Sequence, residues 1–169
     1  MEQNLEKKID FKEKLFFFFK ENKLKLIISF FLILSVGIFS IFYKINSEKK
    51  NNLISEQFIQ AGINFDLNKT ELSKKIYSEI IFKKNKFYSV LALNIILEKK
   101  LETDENTILS YFKIIENLKL PKEKKDLVTL KKALFLIENS KSTQANKILN
   151  NLIENDSKFK EIAQEILAN

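Results

Sequence analysis

The sequence predicts an all-α protein in two parts: one N-terminal transmembrane helix, then a stack of antiparallel helix hairpins. Three observations lead there. Residues 26–43, LIISFFLILSVGIFSIFY, form an uncharged apolar run between Lys25 and Lys44, in a chain otherwise dense with lysine. Downstream, apolar residues recur at intervals of three and four, the helical period. Strand signals are missing, because the chain has two glycines, one proline and no alternating run closed by turn pairs.

The apolar run is the first element to justify. As a helix its 18 residues reach about 27 Å, at about 1.5 Å per residue, close to the hydrocarbon thickness of a bilayer. A helix on a soluble core needs a polar face, and here only Ser29, Ser35 and Ser40 interrupt the apolar surface. Lys25 and Lys44 are placed to snorkel at its two ends. A cleaved secretory signal is the competing reading. The run exceeds the ~7–15 residues of such signals, and the following KINSEKKNN has no small-x-small cleavage site. The nearby Ser35-Val36-Gly37 triplet sits inside the apolar core. The sequence therefore reads as an uncleaved anchor. Within it Ser29, Val36, Gly37 and Ser40 share one helical face, where small residues let another helix approach closely.

Lysine asymmetry orients the anchor. Lys7, Lys8, Lys12, Lys14, Lys20, Lys23 and Lys25 precede it closely; Lys44, Lys49 and Lys50 follow. The excess places residues 1–25 in the cytoplasm and exports the remainder, into the periplasm if the cell has an outer membrane. In the cytoplasmic segment Phe11, Leu15 and Phe16 to Phe19 lie between charged clusters. Two readings stay open. One is an interfacial amphipathic helix facing anionic lipid; the other is that the phenylalanines lengthen the hydrophobic targeting signal.

Residues 44–69 read as an amphipathic linker helix, with Leu53, Ile54, Phe58 and Ala61 on one face. Residues 70–169 read as a helical domain. Asn68 and Thr70 break the linker and cap a helix over 71–83 carrying Leu72, Ile76, Ile80 and Ile81. A helix over 86–100 carries Phe87, Val90, Leu91, Ile95 and Leu97. Thr103 and Asp104 open the next, with Ile108, Phe112, Ile115 and Leu118. Pro121 fits the first turn of the following helix, which shows Leu127, Leu130, Ala133, Leu134 and Ile137. After a polar turn at 140–143 comes a helix with Ala145, Ile148, Leu149, Leu152 and Ile153. Asp156 or Ser157 caps the last, with Phe159, Ile162, Ala163, Ile166 and Leu167.

Helices of this length joined by short turns call for a repeat. Ala133 and Ala145 stand twelve apart, followed by Leu149 and Leu152. A tetratricopeptide unit places small residues there for helix-to-helix contact and larger ones to fill the groove. Ala92, between Leu91 and Ile95, fits the first helix of another unit. Ala92, Ala133, Ala145 and Leu149 are thus the expected repeat-packing positions. Tyr88, Asn94 and Phe135, on the first helices of their pairs, are the candidate groove residues.

Composition removes whole classes of function. The chain has no histidine, cysteine or tryptophan, and each of its 29 basic residues is lysine. No imidazole base, thiolate nucleophile or Ser-His-Asp triad can be built. With only Gly37 and Gly62, no phosphate-cradling loop can form. The expectation is a protein that is not an enzyme and needs no cofactor or metal. The surplus of lysine after the span is five charges spread over its length, without the arginine that reads phosphate and base edges, so nucleic acid is not the expected partner.

The order of elements is also familiar. FFKENKLKLIISFFLILSVGIFSIFYK leads into one span, and KNKFYSVLALNIILEKKL and LVTLKKALFLIENSKSTQANKILNNLIEND follow the linker. This layout resembles the YfgM-like family, tetratricopeptide-repeat-like ancillary subunits of the bacterial SecYEG translocon. The resemblance implies a single-pass bacterial inner-membrane protein with a periplasmic repeat domain. It further implies partnership with SecYEG and with a membrane-anchored periplasmic chaperone, in the handover of newly exported chains. The alternative expectation is a structural envelope protein that only self-associates, as a homo-oligomer.

Overall fold

The structure is a computed structural model that describes residues 11–168. Among these residues every regular element is a helix. They are α1 (Phe11–Glu21), α2 (Lys23–Asp66), α3 (Thr70–Phe82), α4 (Tyr88–Glu98), α5 (Glu105–Glu116), α6 (Lys122–Glu138), α7 (Ser142–Glu154) and α8 (Lys160–Ala168). The chain divides into two compact units, 1–50 and 51–169, with α2 contributing residues to both. Lys7 and Lys8, which entered the topology argument, lie outside the described residues.

In the first unit, Asn22 separates α1 from α2. Its backbone N–H and its Nδ2 both donate to the Phe18 carbonyl, at 3.0 and 3.1 Å. The apolar part of α2 is long and apolar enough to cross a membrane, and none of it is buried by the rest of the chain. Two of its serines turn inward: Ser35 Oγ donates to the Leu32 carbonyl and Ser40 Oγ to the Val36 carbonyl, both at 2.8 Å. Those hydroxyls are therefore satisfied by their own helix.

In the second unit α3 lies close against α4, α6 against α7, and α7 against α8, while α5 sits between the groups, touching α3, α4 and α6. The last turns of α2 belong here. Ile54 and Ala61 are buried, Phe58 stacks edge-on to Tyr77 at 5.3 Å, and Lys83 Nζ donates to Gln57 Oε1. Of the stretch read as a linker, the part of α2 from Asn51 onward thus packs into this unit. Two apolar cores result. One gathers Ile80, Ile81, Leu93, Ile96, Tyr111, Phe112 and Ile115; the other gathers Leu130, Ala133, Leu136, Ala145, Leu149, Leu152 and Ala163. Helix α6 serves both, sending Val128 and Phe135 to the first and Leu130, Ala133 and Leu136 to the second.

Five of the turns in this unit, all but the one between α5 and α6, share one device. Asn68, Lys84, Lys100, Ser140 and Asp156 have positive φ, between 47° and 59°, and none is glycine. Each lies just past a helix C-terminus, where a left-handed residue ends the helix. The next residue closes the turn by a backbone bond: Lys69 N–H to Asn64 O, Leu101 N–H to Ile96 O, Lys141 N–H to Leu136 O and Ser157 N–H to Leu152 O, at 2.8 to 3.0 Å. After α3, Ser89 Oγ instead donates to the Ile80 carbonyl, at 2.8 Å. The left-handed residues recur sixteen apart at 68, 84 and 100, and again at 140 and 156. Around Asn68 stand Ala61 and Ser73, and around Ser140 stand Ala133 and Ala145, at the same offsets and all fully buried. Ser89, also fully buried, occupies the same offset after Lys84. The twelve-residue spacing of small buried residues thus occurs at two turns, 61/73 and 133/145, with serine taking the place of alanine at 73.

Several helix faces differ from the sequence expectation. Leu53, Leu72, Phe87, Leu134 and Ile162 are exposed, while Tyr77, Leu93, Tyr111 and Leu136 are buried. In α3 and α4 the buried face includes Ser73 and Ser89, and Leu72 and the N-cap residue Phe87 fall outside it. Helix α4 starts at Tyr88 because Asn85 Oδ1 accepts from the N–H of Phe87 and of Tyr88, at 2.9 and 3.0 Å. Pro121 sits one residue before α6, with ψ of 147°. Its carbonyl takes the first helical bond, from Lys125 N–H at 3.0 Å.

The burial of Ala145 makes a direct prediction. Ala145→Leu adds three carbons where no space exists and costs about 1–3 kcal/mol through overpacking. Asn146→Leu, on the exposed side of the same turn, changes stability by no more than about 0.5 kcal/mol. Thermal melts of the detergent-solubilised protein, followed by circular dichroism, compare the two.

Candidate binding surfaces

A cleft of about 510 Å³ opens between α4, the α4–α5 loop and α6. Its apolar lining comes from Leu97, Ile108, Leu134 and Phe135, and charged groups at Glu98, Lys100, Lys131 and Glu138 surround it. The volume falls within the range of ligand-sized clefts. Phe135 reaches it from a nearly buried position, its ring tilted on Phe112 at 6.0 Å.

Of the groove residues expected from sequence, Asn94 and Phe135 both line this cleft. Tyr88 lies elsewhere, against Phe58 at 5.8 Å and Phe87 at 5.1 Å. The repeat-packing residues Ala92, Ala133, Ala145 and Leu149 are all fully buried and offer nothing to a partner. Leu134 was grouped with the core because it stands four residues after Leu130. The structure puts it in the cleft. Adjacent apolar residues at 133–137 were the available signal that α6 has more than one apolar face.

One wall of the cleft is held by carboxylates. Glu102 Oε1 accepts from the N–H of Thr103 at 2.8 Å and of Asp104 at 3.0 Å, and its other oxygen lies 3.7 Å from Lys74 Nζ. The Asp104 N–H bond first, then the Thr103 N–H and Lys74, hold the Glu102 carboxyl below the usual range against the opposing effect of burial. Asp104 caps α5, its Oδ2 accepting from the Thr107 hydroxyl at 2.6 Å and from the Thr107 N–H at 2.7 Å, and its carboxyl is likewise lowered. Lys74 is raised, mainly through Glu71 and then through Glu102. Ion pairs also tie α5 to its neighbours: Lys132 meets Glu116 at 2.8 Å and Lys141 meets Glu105. Half-exposed pairs of this kind contribute about 0–1 kcal/mol each.

The second surface is the apolar face of α2. Val36 is exposed, and a Cβ added at Gly37 meets nothing within 4 Å. Ser29, Val36, Gly37 and Ser40 thus remain uncovered by the rest of the chain. Chemically, both surfaces offer contacts. Among the described residues no group of three or more carboxylates is placed to hold a metal ion. No protein-family model matches the chain, and neither a curated protein nor a solved structure is significantly similar to it.

The lowered carboxyls set a pH dependence. Their folded pKa values lie below the unfolded values of about 3.9 for Asp and 4.3 for Glu, so the stability they contribute is present above that range. It is lost as pH falls through the folded values. The melting temperature is expected to drop as pH goes from about 5 to about 3, and Glu102→Gln is expected to make that drop shallower.

Proposed function

We propose that this chain is a membrane-anchored protein-binding module. Its N-terminus faces the cytoplasm, and its helical unit, residues 51–169, stands on the exported side, where it holds a segment of another polypeptide. In a bacterial inner membrane this is an accessory role beside the SecYEG translocon, with a membrane-anchored chaperone as neighbour. The observation that carries the reading is an uncovered 18-residue apolar run on the same chain as a helical unit with an open cleft. Lysine asymmetry supports the orientation. A composition without imidazole or thiol supports binding over catalysis.

A second reading has its own support. The small-residue face of Ser29, Val36, Gly37 and Ser40 accepts a copy of the same helix as readily as a foreign one. The protein is then a self-associating envelope component.

Cross-linking in intact membranes, followed by purification in mild detergent, separates the two. The accessory role predicts channel and chaperone components among the captured neighbours. Replacing residues 26–43 with an unrelated span weakens capture of the channel. Leu134→Glu, which puts a charge in the cleft, weakens capture of the exported chain. Capture of homo-oligomers alone would favour self-association and end the translocon reading.

A further inference from the structure

The junction of α1 and α2 carries a second concave surface, about 800 Å³ in volume. Phe16 and Phe19 line it from α1, and Ile27, Phe30 and Phe31 from α2. Lys20 and Lys23 line it in the middle, one on either side of the break at Asn22. These seven positions recur at three- and four-residue intervals, so they form one continuous face across the break. No acidic residue lines it.

We propose that this trough binds one anionic phospholipid at the cytoplasmic boundary of the membrane. The assignment rests on the reading of 26–43 as a span. Lys20 and Lys23 stand three positions apart and both line the trough, which suits a single phosphate between them, and no carboxylate lining it competes for them. From that point Ile27, Phe30 and Phe31 lead into the hydrocarbon and give an acyl chain an apolar track. Phe16 and Phe19 lie on the other side of the lysines, where aromatic rings suit the headgroup and glycerol level. An acidic peptide would satisfy the lysines but leave the apolar track unfilled. A zwitterionic lipid would fill the track but bring its own cation to the lysines. The anionic phospholipid matches both.

The test uses the full chain reconstituted in vesicles of phosphatidylcholine mixed with phosphatidylglycerol. Alkaline carbonate extraction comes first; release of the wild type would refute the span and leave the lipid site without a setting. With the protein retained, native mass spectrometry from mild detergent reads which lipid stays bound. The expected result is one phosphatidylglycerol held in preference to phosphatidylcholine. Lys20→Gln and Lys23→Gln each lower that preference about fivefold. The pair Lys49→Gln and Lys50→Gln, beyond the other end of the run, leaves it unchanged. Phe16→Ser with Phe19→Ser reduces retention of both lipids. Equal retention of the two lipids by the wild type overturns the proposal. So does an equal loss from the 49/50 pair, or unchanged retention in the phenylalanine variant.

Discussion

Residues 26–43 lie in a helix long and apolar enough to cross a membrane, and the proposed placement of everything after Tyr43 depends on that run lying in hydrocarbon. Thirteen of the 18 residues are Leu, Ile, Phe or Val. On an insertion scale each contributes roughly 0.3–0.6 kcal/mol near the bilayer centre, about 4–8 kcal/mol together. A single lysine there costs about 2.5–3.5 kcal/mol, so two would cancel most of the gain. That arithmetic explains why a lysine-rich chain has none between Lys25 and Lys44.

The second unit depends on a different constraint, close approach between helices. Small residues achieve it at fixed offsets from three of the five left-handed residues: Ala61 and Ser73 around Asn68, Ser89 after Lys84, and Ala133 and Ala145 around Ser140. The buried Ser73 Oγ has no hydrogen-bond partner among the described residues, whereas the equally buried Ser89 satisfies its hydroxyl by donating to the Ile80 carbonyl left open at the end of α3. One side chain thus permits the approach of α4 and completes the cap of α3. Turns closed without glycine come at some cost in backbone strain. The lysine, asparagine, serine and aspartate there are offset by the bonds that close each turn.

Much of this was legible in the residues. The helical period, the uncharged run and the absence of strand signals predict the helices and the long apolar one among them. Asp104 reads as a cap and is one, because a short acceptor side chain three residues before a helical N–H has few other uses. The facing of α3 and α4 was not legible. A search for apolar stripes passes over serine, so Ser73 and Ser89 were missed and Leu72 and Phe87 were given the core in their place. In α4 nearly every position is apolar, and periodicity then carries no direction. The cleft was legible at Asn94 and Phe135 but not at Leu134, whose spacing from Leu130 also suits a core residue. Tyr88 was expected beside them because it shares a helix with Asn94. Its ring instead faces the aromatic cluster around Phe58.

The most direct measurement uses the absence of native cysteine. Asn150→Cys, on the exposed face of α7, and Glu21→Cys, at the end of α1, are each labelled in whole spheroplasts with a membrane-impermeant maleimide. A permanent span with its N-terminus inside predicts that position 150 reacts at once and that position 21 reacts only after the membrane is opened. Protection of position 150 until lysis, or recovery of the labelled chain in the soluble fraction, would contradict it.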